Sequence, residues 1–170
     1  MSQIRSFINQ LKDINPKGAD FYNFFISNGS SYDSGTVSGD NKLIMNKYFI
    51  RARSKSCFCN AQQLTIYSEG EYEYCEGYAI SKVLGIPMEH AWNVKKGKII
   101  DLTWDDGMEY FGVKVPYKWI KNKFYEFVFK HNVSEAQLLR YYEEVKDERI
   151  HKDSTKEVPR LSKENIYSLQ

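Results

Sequence analysis

The chain has 170 residues, 42% of them hydrophobic, enough to bury one core of its own and to exclude a fold that relies on disulfides for stability. Its 24 Lys and Arg stand against 22 Asp and Glu, a net charge of +2, and this near-balance gives no electrostatic argument for a polyanionic partner, so no nucleic-acid partner is expected. Three cysteines cannot all pair with one another, no four-ligand Cys and His spacing exists for a structural zinc, and no apolar run approaches a membrane span, so neither a metal, a cofactor nor a membrane partner is expected.

In chain order, Ile4, Phe7, Ile8 and Leu11 recur at helical spacing over residues 3 to 13. Asn15-Pro16 and Gly18 then close that helix before a second short one from Asp20 to Ile26. The first ten residues lack the basic-then-apolar pattern of an export signal, and a reduced, cytoplasmic location is the expectation. Residues 27 to 41 are rich in Ser, Gly and Asp and read as an exposed loop able to act as a flap. From Lys42 to Arg53 the apolar pattern fits either strand or helix, and a strand is preferred.

Ser56 precedes CFCNAQQLTIY, in which Phe58, Ala61, Leu64 and Ile66 share a helical face. With Ser56 as N-cap, Cys57 falls in the first helical turn. Residues 71 to 80 alternate with period two and predict a strand with an aromatic face. HAWNVKKGKIIDLTW predicts a hairpin turning at Lys95-Lys96-Gly97, and a further strand is expected from Tyr110 to Val115. Beyond Pro116 two helices are expected, the second opened by a Ser134 and Gln137 capping box. The domain therefore spans residues 1 to 146, with a charged, loosely held tail from 147 to 170.

A thiol at a helix N-terminus is a candidate nucleophile, because unpaired N–H groups and the helix dipole favour the thiolate there. Cys57 occupies such a position; Cys59, on the same helix, is the rival, and Cys75 sits in a strand. A base must take the thiol proton. Of the three histidines, His151 falls in the tail and His131 at a helix end, which leaves His90 at the start of the hairpin. Asp101 lies on the returning arm, and if Lys96-Gly97 form the two central turn positions it falls opposite Trp92, on the face that carries His90. A one-residue slip would separate them.

Trp92 and Trp104 flank the hairpin face and, with Tyr78, are candidates to wall a substrate slot, the competing role being cross-strand core packing. Glu76 reads as solvent-facing in preference to a buried paired carboxylate. Arg51, Arg53 and Lys55 read as a solvated strand edge in preference to a substrate-attracting patch.

Cys57 with Ala61, Tyr74 with Gly77 and Tyr78, His90-Ala91-Trp92, and Asp101 with Thr103 together resemble, in order and context, the transglutaminase-like branch of the papain-like superfamily. The resemblance covers about residues 56 to 104. It implies an α+β fold in which a nucleophile helix packs on an antiparallel sheet, here with flanking N- and C-terminal helices. It also implies a Cys57, His90 and Asp101 triad acting as nucleophile, base and orienter on a protein, peptide or small amide substrate. Hydrolysis, deamidation and acyl transfer share that chemistry. The competing expectations are an inactive fold acting as a protein-binding module and, far behind, a metal site on Cys57, Cys59 and His90.

Overall fold

The computed structural model describes residues 2–33, 39–129 and 136–148. It is an α+β domain in which helices gather on an antiparallel sheet. Helix α1 (Gln3–Ile14) starts where the Ser2 hydroxyl accepts from the Arg5 N–H, and it buries Ile4 and Ile8. A single 3-10 turn over Pro16–Gly18 follows, and α2 (Ala19–Asn28) then presents Phe25 to the core. Proline suits that first turn because its missing N–H would have no helical partner there.

The sheet contains β1 (Ser30–Asp33), β2 (Glu73–Ser81), β3 (Pro87–Lys95), β4 (Lys98–Ile100) and β5 (Gly107–Val115) in the order β1-β5-β2-β3-β4. Every neighbouring pair is antiparallel. Period-two alternation divides its side chains between two faces. Tyr74, Ile80, Ala91, Phe111, Val113 and Val115 pack toward Ile4, Ile8 and Phe25 of the N-terminal helices, with Ile120 and Leu138 joining from the C-terminal side. Cys75, Ala79, Trp92, Val94 and Tyr110 form a second cluster with Ile99, against which Tyr32 and Trp104 pack.

Several expectations need correction. The segment after Lys42 is not a strand: α3 spans Asn41–Lys47 and buries Ile44 in a small cluster with Ile50, Leu64, Tyr72 and Ile100. One apolar contact per turn is enough for so short a helix, which is why its pattern resembled a clustered strand. Arg51, Arg53 and Lys55 accordingly lie exposed in irregular backbone and not on a strand edge. Within the predicted loop, Ser30–Asp33 form β1 on the edge of the sheet, pairing with Glu109–Gly112 of β5. An edge strand with one paired side needs little apolar content, so SSYD carries no strand signal.

The C-terminal helices are α5 (Tyr117–Phe129) and α6 (Leu138–Glu148). Ser134, His131, His151 and residues 149–170 of the tail lie outside the described residues. Among the described residues no helix is long and apolar enough to cross a membrane.

Candidate active site

Helix α4 (Cys57–Tyr67) begins at Cys57 itself. Ser56 holds the N-cap position, but its hydroxyl turns back to the Ser54 carbonyl and makes no cap hydrogen bond. Asn60, buried one turn into the helix, does the positioning instead. Its Oδ1 accepts from the Arg53 N–H at 3.0 Å, and its Nδ2 donates to the Arg53 carbonyl at 2.8 Å and to Thr103 Oγ1 at 2.9 Å. One side chain thus ties the lead-in to α4 and the segment after β4 to the helix that carries the thiol. Asn93 of β3 pins the same helix to the sheet, donating to the Ala61 carbonyl at 3.0 Å and to Thr65 Oγ1 at 2.8 Å.

The hairpin has the register that brings the other two groups together. Asn93 faces Ile100, Val94 faces Ile99 and Lys95 faces Lys98, so Lys96 and Gly97 are the central turn residues. Both have positive φ, 50° and 77°, as a two-residue type I′ turn requires. Asp101, one position beyond β4, thereby falls on the His90 side. Its Oδ2 lies 2.7 Å from His90 Nε2 and also accepts from the Tyr110 hydroxyl at 3.0 Å. Its Oδ1 accepts from the Thr103 and Trp104 N–H groups at 2.9 and 3.0 Å. A carboxylate can only accept, so Nε2 carries the proton and Nδ1 is the nitrogen left for another partner.

Cys57, at the start of α4, is near enough to His90 to act on its charge state, and Nδ1 is the ring nitrogen not engaged by Asp101. Both His90 and Asp101 are 1% exposed. Burial disfavours a charged imidazole, but the hydrogen bonds and charges of Asp101 and Cys57 outweigh it and raise His90 from 6.5 to about 9. The Trp104 ring lies flat on the imidazole, centroids 3.9 Å apart and planes 14° from parallel, which further favours a cationic ring.

No family model, curated protein or solved structure matches this chain.

The three residues expected to wall a slot separate. Trp104 is half-buried over His90. Trp92 is fully buried, edge-on to Tyr110 and Tyr32, so it packs as a cross-strand core residue. Tyr78 belongs to the helix-bearing face, where it meets Phe7 and Phe25 edge-on. Cys59 is partly exposed on α4, and Cys75 is buried in β2, where desolvation raises its thiol to about 12. Among the described residues no group of three or more Cys, His, Asp or Glu side chains is placed to hold a metal.

Glu76 overturns its sequence reading, being only 5% exposed. Its Oε2 accepts from the Gln137 N–H and the Tyr74 hydroxyl, each at 2.6 Å, and its Oε1 from the Leu138 N–H at 2.9 Å. A carboxylate on β2 therefore caps α6 from across the fold, the favourable end of that helix for negative charge. Desolvation still dominates and raises Glu76 from 4.5 to about 7. Asn60 and Asn93 were also missed. Their only sequence signal is a carboxamide within an apolar pattern; Asn60 uses both of its polar atoms, whereas Asn93 uses its Nδ2 and leaves Oδ1 buried without a hydrogen-bond partner among the described residues.

Proposed function

We propose that the protein is a cysteine-dependent acyl-group enzyme of transglutaminase-like, papain-like architecture, in which Cys57 is the nucleophile, His90 the acid and base, and Asp101 the orienter. The observation that carries this reading is the 2.7 Å contact from Asp101 Oδ2 to His90 Nε2, which leaves Nδ1 for the thiol at the start of α4. The helix on an antiparallel sheet, with nucleophile on the helix and His and Asp on one hairpin, supports the same architecture.

In the resting pair the thiol proton already sits on His90 Nδ1, and in the first half-reaction the Cys57 thiolate bonds to the acyl carbon as the carbonyl π bond opens to an oxyanion. Ser56 makes no cap hydrogen bond, and the first-turn N–H groups of α4 serve as donors to that oxygen. The oxyanion collapses, the bond from acyl carbon to leaving nitrogen breaks, and His90 delivers its proton to that nitrogen. Water or an amine then attacks the thioester, His90 removes its proton, and the carbon–sulfur bond breaks to restore the resting pair. Hydrolysis, deamidation and transfer differ only in the leaving group and in the attacking molecule.

An acyl-enzyme is the direct test. Incubation with p-nitrophenyl acetate should release p-nitrophenol in a burst and add one acetyl group to Cys57, readable by mass spectrometry and removable by hydroxylamine. An unmodified Cys57, or acetylation spread over lysines, would sink the proposal.

A further inference from the structure

A cavity of about 710 Å³ is bounded by the end of α3, the segment after it and α4; its lining holds two guanidinium groups, Arg51 and Arg53, and no carboxylate. The imbalance extends along the chain. From residue 41 to residue 68 the cations Lys42, Lys47, Arg51, Arg53 and Lys55 occur without one Asp or Glu. Arg51 and Arg53 are exposed, and neither makes a salt bridge among the described residues. Glu71, which reaches toward α3 through the Tyr48 hydroxyl, is already held by Lys95. Asn60 ties both the N–H and the carbonyl of Arg53, so that side chain projects from a fixed stretch of backbone.

Phe49 stands at the edge of the same cavity, 79% exposed, with a backbone φ of 54°. The way α3 ends sets that angle. The Ile50 N–H donates to the Met45 carbonyl at 2.9 Å and the Phe49 N–H to the Asn46 carbonyl at 3.4 Å, the paired bonds of a Schellman motif. Ile50 then enters the core beside Met45. The left-handed position that Phe49 occupies is ordinarily glycine's, because a Cβ is crowded there, and a bulky ring suits it poorly. Helix termination therefore does not account for a phenylalanine at this place. Core packing does not either, since the ring is exposed.

Aromatic surface beside guanidinium groups without salt-bridge partners suits a ligand that carries an apolar side chain between carboxylates. We propose that this cavity docks an acidic peptide segment of a partner protein, with the apolar side chain on Phe49 and Tyr67 and the carboxylates on Arg51 and Arg53. A peptide fits better than a compact phosphate. The end of α3 at the cavity is a C-terminus, whose carbonyl dipole opposes a concentrated anion. The N–H groups of Phe49, Ile50 and Arg53 are all engaged within the fold, so they form no nest for phosphate oxygens. None of Cys57, His90 or Asp101 lines this cavity, and the docking site stands independently of the acyl-transfer reading.

The test is fluorescence anisotropy of the full chain with a fluorescein-labelled peptide, Gly-Asp-Glu-Leu-Glu-Asp-Gly. Its controls replace every acid by the amide or the Leu by Gly. The acidic peptide should bind about tenfold or more tightly than either control, and rising salt should weaken it. Arg51→Gln combined with Arg53→Gln should cost about tenfold or more in affinity. Phe49→Gly separates binding from folding: affinity should fall about threefold or more, while the melting temperature stays at or above wild type because glycine is at ease in the left-handed position. Equal affinity for the acidic and amidated peptides, affinity unchanged in either variant, or no saturation below about 1 mM overturns the proposal. So does equally tight binding of inorganic phosphate or of a short oligothymidylate, which would make the site a general anion trap.

Discussion

Asp101 divides its two oxygens between two tasks: Oδ2 holds His90 Nε2 at 2.7 Å, while Oδ1 is fixed by the backbone N–H groups of Thr103 and Trp104. The second task makes the first possible, because a carboxylate locked by two local amides has one orientation left to offer the imidazole. Asp101→Asn keeps the shape but can place an N–H₂ group against Nε2 or against the two amides. A donor facing Nε2 reverses the tautomer and puts the remaining ring proton on Nδ1, toward the thiol. Acylation of Cys57 by p-nitrophenyl acetate should slow by roughly a hundredfold or more, with the circular dichroism spectrum retained.

Tyr110 shares Asp101 Oδ2 with His90, its hydroxyl 3.0 Å away. Tyr110→Phe removes that competing donor and leaves more of the carboxylate's charge for the imidazolium. The His90 ring signals, followed by NMR, should titrate above the wild-type value of about 9, and the loss of one buried hydrogen bond should lower stability by about 1 kcal/mol. The sign for wild-type stability follows from the same raised value. His90 contributes in full below 6.5, its ordinary value, and that contribution is lost as pH rises through about 9.

Glu76 has the opposite chemistry and the same direction of linkage. Its folded value of about 7 exceeds the ordinary 4.5, so between those limits the native state binds more protons than the unfolded chain and stability falls as pH rises. Glu76→Gln should abolish that part of the pH dependence in urea titrations. It should also cost about 1–3 kcal/mol, because an N–H₂ group then meets one of the donors of Gln137 and Leu138.

Gly77 has no room for a side chain. A Cβ there would stand 2.3 Å from the Phe111 carbonyl oxygen and 2.6 Å from the Gly112 Cα, backbone atoms of β5 that cannot turn aside. Gly77→Ala should lower stability by about 1–3 kcal/mol in thermal unfolding and disturb the strand opposite His90. An unchanged melting temperature would show that β2 and β5 part more easily than their packing implies.

The site was more legible than the frame that holds it. Lys96-Gly97 admits a two-residue turn with positive φ, and that single local rule fixes the register placing Asp101 on the His90 side. The start of α4 was legible for a similar reason, since Ser56 is followed by apolar residues at helical spacing. What escaped depends on distant partners. β1 exists because β5 lends it a ladder, and its own residues announce nothing. Glu76 looks like one more polar strand residue until Gln137 and Leu138, about sixty positions away, bring their N–H groups to it. Asn60 likewise gains its meaning only from Arg53 and Thr103, which meet it on folding.

The most direct measurement is the pH dependence of iodoacetamide labelling at each cysteine, read by mass spectrometry, in the wild-type protein and in His90→Ala. An ion pair between Cys57 and His90 predicts rapid labelling of Cys57 well below the ordinary thiol range, lost in His90→Ala, while buried Cys75 stays unreactive. Slow labelling of Cys57 that follows an ordinary thiol titration and ignores His90 would contradict an activated nucleophile, and the function of the fold would then lie in binding and not in catalysis.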